Sequence, residues 1–262
     1  MSYHQAPLLL AAILLAHLAA VGNPGCASTE HTRTTPMTTH ETERGFLARS
    51  LDLDGQSWRY VVYVPRDIDL AKPAPVLVFL NGRGECGRDG WKHVAVGLGP
   101  AVMFNPDRWP FIIVFPQKPD QTSAWEDHTA MVMAALHKTR AEFNTDTART
   151  YLTGLSQGGN GTWTIAAANP GVFAAIAPVC GYGNPETIAA GLTTTPVWAF
   201  HGERDDVVLP EESKAIVAAL KQRNASPEPK LTLFPLANHN SWDPAYGMAE
   251  LPAWLLSHRL PE

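Results

Sequence analysis

From residue 45 onward the chain alternates between short apolar runs and longer stretches of helical period. The first of these, "FLARSLDLDGQSWRYVVYVP", holds two alternating β-prone runs joined by Asp54-Gly55, a dipeptide that favours a tight hairpin turn. Runs with the composition of buried strands follow at Pro75 to Leu80, Phe111 to Pro116, Arg149 to Gly154, Ala174 to Val179, Pro196 to Gly202 and Lys230 to Leu236. Between and after them, helical patterns cover Asp127 to Phe143, Gln157 to Ala168, Pro210 to Arg223 and Glu250 to His258. The third opens with Pro210, Glu211 and Glu212, as a helix start should, because proline needs no N–H bond there and the acids face the positive end of the helix dipole.

Strand alternating with helix predicts an α/β fold, a mainly parallel sheet covered on both faces. In such folds ligands gather beyond the carboxyl ends of the strands, so functional residues should stand just after strands.

Ser156 passes that filter. It follows the run "RTYLT" and opens a helix, in the pattern Gly154-x-Ser156-x-Gly158. That is the context of a nucleophile elbow, a sharp strand-to-helix turn that exposes a serine on a constrained backbone. A serine hydroxyl needs a base to take its proton, and the base needs an acid to orient it. On an elbow fold they follow in the order serine, acid, histidine. "FHGERDDVV" supplies Asp205 and Asp206 after one strand, and "PLANHNSWDPAY" supplies His239 after the last. His201 ends a strand run directly before a glycine and reads as a buried structural residue, while His93, His128, His137 and His258 fail the order. The oxyanion donors expected are the backbone N–H groups of Gln157, next to the serine, and of Arg83, in the Gly-rich loop "NGRGECGRDGW" after an early strand.

Composition narrows the reading. The 262 residues are 45% hydrophobic and 17% charged, enough for one substantial core, and the net charge of -5 without any Lys/Arg run excludes a nucleic-acid partner. No metal ligand set and no cofactor fingerprint stand out. Cys86 and Cys180 are a candidate disulfide only if export exposes them to oxidation. Residues 1–26 read as an export signal, with an apolar core from Leu8 to Val21, and 27–44 as a threonine-rich tether unable to form a core; the folded domain spans 45–262. "GNPGCAS" places Cys26 after a small residue and resembles a bacterial lipobox, with Asn23 where leucine is preferred. Two outcomes stay open: acylation of Cys26, anchoring the protein at a membrane surface, or simple cleavage near Gly22 or Ala27 and release.

Taken together, "FLNGRGE", "TGLSQGGNGTW", "PVCGYG", "PVWAFHGERDDVV" and "NHNSWDPAY" resemble the α/β-hydrolase superfamily, specifically its phospholipase/carboxylesterase and dienelactone-hydrolase-like esterases, near family 1 carbohydrate esterases and polyhydroxybutyrate depolymerases. The resemblance implies a serine carboxylic-ester hydrolase with Ser156, Asp205 and His239 as its triad; Asp205 is preferred to Asp206 by the pattern His-Gly-x-x-Asp. Asn81-Gly82 stands where the group usually has His-Gly. Between Val179 and Pro196 there is no room for a sizeable lid, so the cleft should admit large or polymer-linked esters as well as small ones. Trp125, Trp242, Tyr182 and Glu85 are the candidate substrate contacts, and Trp163 reads as core. A prolyl-oligopeptidase-type peptidase and a non-catalytic polysaccharide-binding module are the alternatives, and the oligomeric state is not readable.

Overall fold

Residues that favour extended backbone and cannot be left in water drive the centre of this molecule. A computed structural model describes residues 43–261. The expected export segment, Cys26 and the expected tether up to residue 42 lie outside the described residues, while Arg44, at the end of that tether, donates Nη1 to the Pro65 and Ile68 carbonyls at 3.0 and 2.9 Å. The strands are β1 (Gly45–Leu53), β2 (Gln56–Val64), β3 (Ala74–Leu80), β4 (Ile112–Pro116), β5 (Thr145–Leu155), β6 (Ala175–Val179), β7 (Trp198–Gly202) and β8 (Lys230–Phe234). They form one sheet in the order β1-β2-β4-β3-β5-β6-β7-β8. β1 and β2 run antiparallel to each other, β2 runs antiparallel to β4, and every later pairing is parallel. The hairpin turn is made by Asp54 and Gly55 alone, with φ of 52° and 74°, which is the positive-φ pair that a two-residue turn demands.

The helices are α1 (Leu98–Phe104), α2 (Thr129–Glu142), α3 (Gln157–Ala168), α4 (Pro185–Gly191), α5 (Pro210–Gln222), α6 (Trp242–Gly247) and α7 (Glu250–Leu256). Successive side chains of a strand point to opposite faces, and the core divides accordingly. Val76, Val78 and Leu80 of β3 join Val132 of α2, Trp163 of α3, Ile188 of α4 and Ile216 of α5. Leu77 and Phe79 join Val102 of α1, Tyr246 of α6 and Leu255 of α7 on the other face. Three short helices, α1, α4 and α6, were not among the helical patterns of the sequence, whereas α7, no longer than α1 or α4, falls within the pattern Glu250 to His258. Only α4 intervenes between β6 and β7, so no lid covers the strand ends there.

Cys86 and Cys180 are both buried free thiols and do not pair. Among the described residues no helix is long and apolar enough to cross a membrane.

A short 3-10 turn, Lys92–Ala95, carries His93 into the core beside β4. Its imidazole is fully buried, Nε2 donates to the Phe115 carbonyl at 2.7 Å, and Nδ1 has no partner among the described residues. Burial penalises the cation and holds the pKa down to about 4 from the usual 6.5. The unfolded chain therefore binds this proton at higher pH than the folded one. We expect stability to fall as pH drops from about 6.5 to about 4, by about 3 kcal/mol from this group, and urea melts of His93→Gln to lose about one proton's worth of that slope.

Candidate active site

Strand ends set the positions. β3, β5, β7 and β8 are parallel, so the residues that follow them emerge at one edge of the sheet: Arg83 after β3, Ser156 after β5, Asp205 after β7 and His239 after β8. At the end of β5 the chain reverses into α3 through Ser156, whose φ of 56° and ψ of -116° lie where an L side chain rarely settles. That conformation is over-determined. The Ser156 N–H donates to the Val179 carbonyl at 3.0 Å, and its carbonyl accepts from Asn160 N–H at 2.9 Å to start the helix. The chain can turn this sharply because α3 passes so close to β3 that a Cβ on Gly158 would collide with the Leu80 carbonyl. Most of α3 is buried, Trp163 completely, so tight packing offsets the poor helix propensity of its three glycines.

His239 Nε2 lies 3.0 Å from Ser156 Oγ, and His239 Nδ1 lies 2.7 Å from Asp205 Oδ2. Asp205 is fully buried, whereas Asp206 is exposed, so only the first of the adjacent acids can orient the imidazole. Asp205 Oδ1 accepts from the N–H groups of Val207 and Val208, both at 3.0 Å. These bonds hold a desolvated carboxylate that would otherwise be costly to bury. Gln157 is the first residue of α3 and Arg83 the first of a 3-10 turn, Arg83–Glu85, so neither N–H has an acceptor within its own helical turn. Both residues line the same cleft as Ser156 and His239.

That cleft holds about 610 Å³, and its walls include Glu85, Tyr182, Trp242, Val207 and Leu209. Trp242 presents its ring edge-on to His239, 5.5 Å between centroids. Burial pushes the carboxyl of Glu85 and the phenol of Tyr182 above their usual values. The Cys180 thiol, the Asp205 carboxylate and the His239 imidazole come within 4.8 Å of one another. They do not suit a metal ion: Asp205 and His239 are bonded to each other, and burial pushes the thiol up to about 12, so it stays protonated.

A family model described as the dienelactone hydrolase family matches residues 105–244, a span that contains Ser156, Asp205 and His239. The chain belongs to the dienelactone hydrolase family. A bifunctional acetylxylan esterase/xylanase of Neocallimastix patriciarum is 29% identical over 158 residues, 56% of this chain and 21% of that protein. Feruloyl esterase B of Neurospora crassa is 26% identical over 210 residues, 63% of this chain and 68% of that protein. The chain thus spans about a fifth of the first relative and about two-thirds of the second. The crystal structure of a thermostable esterase superposes with a TM-score of 0.69 at 29% identity, covering 82% of this chain and 63% of that one. A ferulic acid esterase structure, 16% identical with a TM-score of 0.63 over 80% of this chain and 97% of that one, shares the fold. The fold is that of the α/β hydrolases.

Within this dienelactone-hydrolase-family site, one expected cleft residue is elsewhere. Trp125 is 1% exposed and does not line the cleft; its ring packs in the core and its Nε1–H donates to the Asn81 carbonyl at 2.9 Å. Its indole is drawn inward because α3 leaves room at Gly161, where a Cβ would strike the Trp125 side chain. Trp125 therefore braces the loop after β3 from below. Asn81 holds the same loop, donating from Nδ2 to the Gly82 carbonyl at 2.7 Å and accepting at Oδ1 from Lys118 N–H at 3.3 Å.

Two further supports went unread in the sequence. Gln117 receives the Gly90 N–H at 2.7 Å and donates to the Glu85 carbonyl at 3.2 Å, while the fully buried Lys118 donates Nζ to the Asp120 carbonyl at 2.8 Å. Both follow β4 directly, so the strand-end filter could have found them. Trp125→Phe keeps the ring but leaves the Asn81 carbonyl unpaired. We expect a loss of about 1–2 kcal/mol in urea unfolding and faster tryptic cleavage after the exposed Arg83.

Proposed function

We propose that this protein is a serine hydrolase of carboxylic esters that works through an acyl-enzyme. The observation that carries the reading is His239, placed between the Ser156 hydroxyl at 3.0 Å and the buried Asp205 carboxylate at 2.7 Å, at the floor of an open cleft. Asp205 accepts from Nδ1–H, which leaves Nε2 unprotonated and facing the serine.

In the first half-reaction His239 Nε2 takes the Ser156 proton as Oγ bonds to the ester carbonyl carbon, and the carbonyl oxygen becomes an oxyanion. The N–H groups of Gln157 and Arg83 stabilise that charge, which exists only near the transition state. The C–O bond to the alcohol then breaks, and His239 returns its proton to the leaving oxygen. Water enters by the same route: its proton goes to His239, its oxygen attacks the acyl carbon, and Ser156 Oγ leaves with the proton as the acid departs.

The substrates we assign are short-chain, aromatic or carbohydrate-linked esters. The cleft is uncapped, which suits an ester attached to a bulky or polymeric alcohol. Its walls combine apolar groups from Val207, Leu209 and Trp242 with the half-buried carboxyl of Glu85 and phenol of Tyr182, groups able to meet an acyl chain or aryl ring and a hydroxyl. The two curated relatives, named for acetylxylan and feruloyl esters, fall in the same range.

Nitrophenyl acetate, feruloyl esters and acetylated sugars, assayed side by side on the protein and on Ser156→Ala, test the reading. We expect turnover of at least one class and a loss of about 10⁴-fold or more in the variant. Turnover that survives Ser156→Ala would overturn the mechanism. Turnover of peptide amides alone would replace the substrate class.

A further inference from the structure

Asp205 Oδ2 is shared by two imidazoles. Besides His239 Nδ1 at 2.7 Å, His201 Nε2 lies 3.2 Å from it, and the His201 side chain is fully buried. His201 is the penultimate residue of β7, and its other contacts fix which nitrogen carries the proton. Nε2 faces two acceptors, Asp205 Oδ2 and the Val208 carbonyl at 2.9 Å, so Nε2 must be the N–H. Nδ1 is then an acceptor, and the buried Ser213 hydroxyl of α5 stands 2.7 Å away to donate to it.

We infer that His201, its ring oriented by the Ser213 hydroxyl at Nδ1 and the Val208 carbonyl at Nε2, is a positioning residue for Asp205, standing against the carboxylate oxygen that receives His239. The inference rests on the reading of Ser156, His239 and Asp205 as the reacting groups. His201 acts on both sides of the carboxylate: its Nε2–H donates to the carbonyl of Val208, whose own N–H donates to Asp205 Oδ1, and the same nitrogen lies 3.2 Å from Oδ2, the oxygen that receives His239 Nδ1–H. Together with the Val207 and Val208 N–H groups on Oδ1, both oxygens of Asp205 are engaged, and rotation of the carboxylate would break bonds on each side.

The chemistry of a second histidine here is specific. A cation in its place would compete with the His239 imidazolium for the carboxylate, whereas a neutral N–H orients the oxygen and leaves its charge to His239. Burial lowers the pKa of His201, which keeps it neutral. Neither His201 nor Ser213 lines the cleft, so both act through Asp205 and not on substrate.

The test uses a fluorophosphonate, which reports on Ser156 without any ester. Ser156 Oγ bonds to phosphorus, the P–F bond breaks, and fluoride leaves while the serine proton goes to His239. Labelling rates, and kcat per labelled enzyme with KM, are measured for the protein, His201→Ala, His201→Gln and Ser213→Ala. Loss of positioning should slow labelling and kcat by about ten- to a hundredfold in His201→Ala and Ser213→Ala, with KM within about twofold. His201→Gln, which can place an amide N–H near the Nε2 position, should recover most of the rate. If instead the variants label and turn over at the normal rate per active molecule, and only their melting temperature falls, His201 is a packing residue and the inference is wrong. Should His201→Ala not fold, Ser213→Ala decides the same point. If Ser156 of the unaltered protein is not labelled, the hydrolase reading itself fails, which the variants cannot mimic.

Discussion

The crossing of α3 over β3 and β5 is the constraint on which the rest of this molecule hangs. Gly154 and Gly158 let helix and strand approach until a Cβ on either would meet backbone. The serine between them takes a backbone conformation that an isolated chain would leave within moments. It stays because the Val179 carbonyl, the first turn of α3 and a nearly solid bed of buried side chains all require it. With Ser156 so fixed, every other part of the site has only to be delivered to one address by the ends of neighbouring parallel strands.

Electrostatics then decides which residues can share that address. A buried carboxylate is costly unless donors surround it, and the loop after β7 supplies them by folding its own N–H groups back onto Asp205. Asp206, one residue on, has no such shell and points to water. The loop after β3 is treated in the same way with neutral partners: the Trp125 indole binds the Asn81 carbonyl, the Asn81 amide the Gly82 carbonyl, and the Gln117 amide the Glu85 carbonyl and the Gly90 N–H, so the stretch from Gly82 to Glu85 meets the cleft in a defined shape.

What could be read in the sequence was whatever depends on local pattern or order. The buried strands announced themselves as apolar runs, the hairpin through Asp54-Gly55, and α2, α3, α5 and α7 through their period and starts. Ser156, Asp205 and His239 could be lined up because each follows a strand and the order is fixed by the fold, and the structure does bring them within hydrogen-bonding distance. The short helices α1, α4 and α6 were not read, although α7, no longer than α1 or α4, was. Trp125 was misplaced because sequence shows that a residue lies near a loop but not toward which side its ring turns. His201 was rightly taken as buried, yet burial alone did not disclose that its Nε2 touches the same oxygen as His239.

The exposed side chains of Val207 and Leu209, 68% and 58% open to solvent, line the cleft and belong to neither core cluster. Substitutions at such positions ordinarily shift stability by no more than about 0.5 kcal/mol, whereas any side chain added at Gly158 strikes backbone. Variation is thus steered to the rim. The same rigid elbow can be passed unchanged from one descendant to another while the residues around the mouth are rewritten, so a lineage built on this chain can change its diet without having to learn again how to fold.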